Sequence, residues 1–149
     1  MDTVGSDAQA PLLGIGAAAL HAGVSERALR YYQQLGLLTP ACTTGGLRRY
    51  SERDLARVAR IRELQTLLGM DLDEIATVLR NEDRVAEIRV AYLDERTGDA
   101  ERRELVTESL AIHENLRAAV EAKRAALETF RDDLDHRIAR IRAALAEGR

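Results

Sequence analysis

An all-α chain with one small β-hairpin is predicted, and three observations carry that prediction. Only 3% of the 149 residues are aromatic and two are proline, while Ala, Leu, Glu and Arg abound. That composition favours helices over strands. Glycines and helix-capping residues punctuate the first half at helix-length intervals. From Glu101 to Glu147 there is neither Gly nor Pro, and apolar residues recur at a helical period.

Residues 1–11 read as a polar, disordered tail ending at Pro11. A short apolar helix is expected from about Gly16 to His21, stopped by Gly23. Ser25 is a natural N-cap for a second helix, Glu26 to Gln34, with Gly36 just past its end. Its apolar face is set by Leu29, Tyr32 and Leu35, leaving Tyr31 pointing away. Two helices joined by a Gly-containing turn within about 20 residues form a helix-turn-helix. Thr39 to Tyr50, with Gly45-Gly46 at its centre, reads as a hairpin.

Ser51 and Asp54 make a capping box for a third helix with an inward face of Leu55, Val58, Ile61, Leu64 and Leu68. Arg53, Arg57 and Arg60 share one stripe of it. Gly69 ends this helix, and Asp71 with Glu74 caps a fourth, whose Ile75, Val78 and Leu79 face inward. Asn81-Glu82-Asp83 is expected to break the fourth helix, with a further helical stretch from Arg84 to Arg96. In the last segment Leu105, Leu116, Leu127 and Ile138 recur every eleven residues, as do Ala119, Phe130 and Ile141. Eleven residues in three turns describe a nearly straight helix. So long an apolar stripe calls for a partner helix: a second copy of the chain, or the same helix folded back near Lys123.

The domain reading is a tail over 1–11, a helix-turn-helix unit with its hairpin over 12–81, a helical linker over 82–99 and a long helix over 100–147. No apolar run approaches the ~18 residues that span a bilayer, and the first ten residues lack the basic charge of a targeting signal. A single cysteine, Cys42, excludes an internal disulfide. Nucleophile elbow, phosphate loop and metal cluster are all missing, so an enzyme is not expected. No cofactor, no metal and no membrane partner are expected, and the location is cytoplasmic.

Net charge is −3, yet it is segregated. Between Arg27 and Arg62 stand eight arginines and two acidic residues, giving +6 and leaving −9 elsewhere. This is the footprint of a nucleic-acid surface or of a solvated charged face.

The segment from Leu12 to Leu79 resembles the MerR family of bacterial transcription regulators. The matching residues are Ile15-Gly16, then Gly23-Val24-Ser25-Glu26-Arg27-Ala28-Leu29-Arg30-Tyr31-Tyr32, then Leu35-Gly36-Leu37-Leu38 with Pro40, then Gly46, Arg48, Tyr50-Ser51 and Asp54-Leu55, and finally Leu68-Gly69 and Asp73-Glu74-Ile75. The resemblance implies a winged helix-turn-helix and a homodimer joined by a long antiparallel coiled coil. It implies binding to a palindromic site in promoter DNA, beside RNA polymerase, with activation by distortion of the spacer between promoter elements. The location it implies is bacterial and nucleoid-associated. An effector-independent repressor or architectural DNA-binding protein remains the alternative.

The residues expected at double-stranded DNA are Ser25, Glu26, Arg27, Arg30 and Tyr31 on the second helix, Arg48, Arg49 and Tyr50 on the wing, and Arg57 on the third helix. Arginines near the start of a recognition helix suit base edges, and wing arginines suit phosphates. Leu105, Ile112, Leu116, Val120, Leu127, Phe130 and Leu134 are expected at the dimer contact. Cys42, Leu47 and Ala17-Ala18 depart from the family's usual residues. The chain resembles the short members, which lack a separate effector domain, and the paired cysteines of metal-sensing members are missing near the end of the last helix. The small-molecule effector is unknown. Cys42 is a candidate thiol switch, since neighbouring positive charge favours a thiolate. Asp132 with His136 could hold a hard or borderline metal, or form a solvated patch.

Overall fold

A computed structural model describes residues 12–148. Five helices and one two-stranded sheet follow in the order α1 (Ile15–Ala22), α2 (Glu26–Gln34), β1 (Ala41–Cys42), β2 (Arg48–Arg49), α3 (Glu52–Leu68), α4 (Leu72–Leu93) and α5 (Asp99–Glu147). The expected tail, 1–11, lies outside the described residues. The chain divides into two units between Leu79 and Arg80.

In the first unit local chemistry sets each boundary. α1 ends at Gly23, whose φ of 65° is left-handed and suits a residue without Cβ. Ser25 caps α2 by accepting from the backbone N–H of Ala28 at 3.1 Å, an arrangement worth about 1 kcal/mol. α3 carries the full capping box: Asp54 N–H donates to Ser51 Oγ, and Ser51 N–H donates to Asp54 Oδ2. The same reciprocal pair joins Asp71 and Glu74 before α4. The core is Ala18, Leu29, Tyr32, Leu37, Leu38, Tyr50, Val58, Ile61, Leu64, Ile75 and Leu79, with their neighbours Ala19, Met70 and Val78. Burial of each large side chain contributes roughly 1.5–3 kcal/mol. Leu55 and Leu68 are half-buried at the margin. Leu35, expected on the apolar face of α2, is the C-cap residue and is exposed, because the chain turns away there at Gly36.

The expected break at Asn81-Glu82-Asp83 does not occur: α4 runs unbroken from Leu72 to Leu93. Asn and Asp cost a helix at most about 0.7 kcal/mol each, and no Gly or Pro interrupts the segment. In the second unit Ile88 of α4 is buried. Arg84 grips Glu108 of α5 with both Nε and Nη2, at 2.6 and 2.8 Å. Glu108 consequently sits below the usual carboxylate range and Arg84 above the usual guanidinium value. Arg102 donates to the carbonyls of Tyr92 and Asp94, closing the turn into α5. α5 continues through Lys123 to Glu147 without folding back. None of its residues is buried, and Leu127, Phe130, Ile141 and Leu145 are well exposed. No described helix is long and apolar enough to cross a membrane.

Candidate nucleic-acid interface

α2 separates two chemistries by its 3.6-residue period. Leu29 and Tyr32 point into the core, at 0% and 6% exposed. Ser25, Glu26, Arg27, Arg30 and Tyr31 point outward. Arg30 Nη2 lies 3.3 Å from Glu26 Oε2, one turn earlier, so this carboxylate orients the guanidinium along the helix surface. Ser25 is at the surface too, but its hydroxyl already caps the helix.

The wing is a tight hairpin. Ala41 pairs with Arg49 and Cys42 with Arg48, antiparallel. Thr43 N–H donates to Leu47 O, Leu47 N–H to the Thr43 hydroxyl, and Gly46 N–H to Thr43 O. Gly46 takes a φ of 79°, which closes the turn. Leu47 stands out at the tip. Cys42 is exposed on β1 opposite Arg48.

Tyr50 anchors the wing to Leu13 and to α2. Tyr50, fully buried, exchanges both backbone hydrogen bonds with Leu13, at 2.8 and 2.9 Å. Its hydroxyl accepts from Gln33 Nε2 on α2. Burial pushes the Tyr50 hydroxyl above the ordinary phenol value, partly offset by Gln33. The expected surface role of Tyr50 is therefore corrected: the side chain is a core strut, drawn inward by its apolar ring and its partner on α2. A cleft of about 300 Å3 opens between α2 and the wing, lined by Arg30, Gln33, Leu47, Arg48, Arg49 and Gly14, among others. Three guanidinium-bearing residues thus converge on one concavity.

Arg57 does not occupy a free helix face either. Its Nε–H donates to the carbonyl of Leu37 at 2.6 Å, fastening the segment after α2 onto α3. Arg60 engages Glu63 at 2.7 Å. Arg62, which sequence reading counted only as charge, donates from Nη1 to Ala22 O at the end of α1, beside the Gly23 turn. Burial also pushes the Tyr32 hydroxyl upward, with the positive charge of Arg62 opposing it. These long-range partners leave no local sequence signal, since 20 and 40 residues separate them. Asp132 and His136 share a turn of α5, but His136 Nδ1 lies 2.7 Å from the Asp132 carbonyl oxygen, so that nitrogen faces its own backbone.

Residues 13–82 match the family model described as MerR HTH family regulatory protein. The mercuric resistance operon regulatory protein of Pseudomonas fluorescens is 39% identical over 107 residues, which cover 66% of this chain and 74% of that protein. The HTH-type transcriptional activator TipA of Streptomyces coelicolor is 42% identical over 66 residues, covering 44% of this chain and 26% of that protein. Among solved structures, HiNmlR, a MerR family regulator lacking the sensor domain and bound to promoter DNA, superposes with a TM-score of 0.54. It is 28% identical, covering 92% of this chain and 95% of that one.

Proposed function

The chain belongs to the MerR family and is a DNA-binding transcriptional regulator rather than an enzyme, and from that premise we propose that it binds a palindromic promoter site as a homodimer and acts by distorting the spacer DNA. The observation that carries this reading is the meeting of Arg30 of α2 with Arg48 and Arg49 of the wing around one cleft. Base-reading and phosphate-holding groups then belong to one rigid surface. Arg27 and Arg30 reach base edges in the major groove, with Ser25, Glu26 and Tyr31 beside them. Arg48 and Arg49 hold flanking phosphates. Tyr50 and Arg57 keep the wing and α3 in place beneath them. That the related HiNmlR is bound to promoter DNA supports DNA as the partner.

The apolar residues of α5, including Leu105, Ile112, Leu116, Val120, Leu127, Phe130 and Leu134, serve as the contact between two copies. A dimer then holds two recognition helices at a fixed separation, as a palindrome requires. Bending a short site costs on the order of 1–6 kcal/mol, which phosphate contacts from both halves offset. RNA polymerase at the same promoter is the machine that responds.

Spacer length tests the mechanism. One or two base pairs are deleted between the promoter elements and transcription is measured with and without the protein. The distortion reading expects high transcription without the protein, and repression or indifference when it is added. Transcription that does not depend on spacer length, with the protein simply blocking it, contradicts distortion and leaves a plain repressor.

A further inference from the structure

Glu26 stands in the first turn of α2, and its carboxylate is held from two sides. Oε2 lies 3.3 Å from Arg30 Nη2, one turn along the same helix. Oε1 lies over Gly16 of α1, 3.3 Å from where a Cβ on that residue would stand. Gly16 is the second residue of α1, whose first turn holds no acidic residue and whose N-cap, Gly14, has no side chain to cap it. The positive end of the α1 dipole therefore meets a carboxylate supplied by α2. An exposed ion pair alone does little to fix a side chain. The seat over Gly16 adds a second hold, and a side chain at position 16 would crowd it. The Glu26 side chain is still 47% exposed, next to Arg30, which lines the cleft with Arg48 and Arg49.

A carboxylate on a surface that meets DNA is selective, because it can only accept hydrogen bonds. Phosphates repel it. In the major groove guanine shows two acceptors, and thymine an acceptor and a methyl group. Adenine offers one donor beside an acceptor, which repels the second carboxylate oxygen. Cytosine offers its N4 amino group with no acceptor beside it. A carboxylate in a fixed place thus favours cytosine at one position, and the Arg30 guanidinium beside it offsets its repulsion from the backbone.

We propose that Glu26 is a specificity-determining residue that selects cytosine at one position of each half-site, and that Gly16 is the positioning residue whose missing side chain gives Glu26 its seat. This rests on the reading of α2 as the helix that meets base edges. Arg30 shares the work: it steadies the carboxylate and presents its remaining donors to the neighbouring base pair.

The test is selection of bound duplexes from a random-sequence pool, run with the full chain and with Glu26→Gln, Glu26→Ala and Gly16→Leu. The original chain is expected to prefer cytosine about tenfold at one position of each half-site. Glu26→Gln is expected to move that preference to adenine, which an amide matches with one donor and one acceptor. Glu26→Ala is expected to flatten it. Gly16→Leu is expected to flatten the same position and no other, while melting no lower than the original, since Leu is the better helix former. Combining Gly16→Leu with Glu26→Ala is expected to add nothing, as for two residues that act through one contact. An inverted repeat that Glu26→Gln leaves unchanged at every position overturns the role of Glu26 and leaves α2 as the reading helix. Gly16→Leu that leaves the cytosine preference intact, or relaxes all positions alike, overturns the seat. If none of the proteins enriches any sequence, the reading of α2 itself falls.

Discussion

Arg57 Nε and the carbonyl oxygen of Leu37 lie 2.6 Å apart, and this bond ties the exit of α2 to α3. Leu37 itself is 3% exposed, so its carbonyl has little water to turn to if Arg57 is removed. Arg57→Ala is expected to lower stability by about 1–2 kcal/mol, as for a charge-assisted hydrogen bond at a partly covered site. Urea unfolding reads this. The salt dependence of DNA binding is expected to stay the same, since a lost phosphate contact would reduce its slope by about 1. A shallower slope with unchanged stability would return Arg57 to the DNA surface.

Tyr50 joins the wing to α2 by two different means. Tyr50→Phe keeps the ring and loses only the link to Gln33, so about 1 kcal/mol is expected. Tyr50→Ala empties a fully buried site and is expected to cost about 3–5 kcal/mol. Thermal or urea melts separate the two. Equal, small losses would mean that Tyr50 is not a strut between the wing and α2.

Burial raises both Tyr32 and Tyr50 above the ordinary phenol value. The folded state therefore keeps protons that the unfolded chain gives up near pH 10. Stability contributed by this difference is complete below about pH 10 and is lost as pH climbs past it. Urea midpoints measured from pH 8 to 11 are expected to fall only at the top of the range, and more shallowly in Tyr50→Phe. A decline shared equally by the variant would contradict the assignment.

Much of the first unit was legible because its boundaries are set by local chemistry. Ser25, Ser51 with Asp54, and Asp71 with Glu74 each act within three residues, so the sequence displays both partners together. The Gly23, Gly46 and Gly69 turns are visible for the same reason. Arg57, Tyr50 and Arg62 were not legible, because an exposed stripe arginine and a carbonyl-clamping one look alike until the fold sets Leu37 or Ala22 beside them. α4 misled in the other direction. Asn81 and Asp83 are poor helix residues taken singly, but neighbouring turns on both sides outweigh them.

Arg27 and Arg48 are assigned different tasks and should fail differently. Arg27→Ala is expected to lose about 1–3 kcal/mol on the operator and much less on random duplex. Arg48→Ala is expected to weaken both by similar factors, because phosphate contacts carry no sequence. Fluorescence anisotropy on the two DNAs at fixed salt reads both. Equal losses on the two DNAs for Arg27→Ala would remove α2 from base readout.

The most direct measurement is selection of bound duplexes from a random-sequence pool by the full-length protein, repeated with Arg27→Ala. A homodimeric regulator reading bases through α2 is expected to enrich an inverted repeat of two equal half-sites at one fixed spacing, and Arg27→Ala is expected to relax the same position in both halves. Enrichment of a single half-site, or of no sequence at all with binding that merely follows salt, would contradict it.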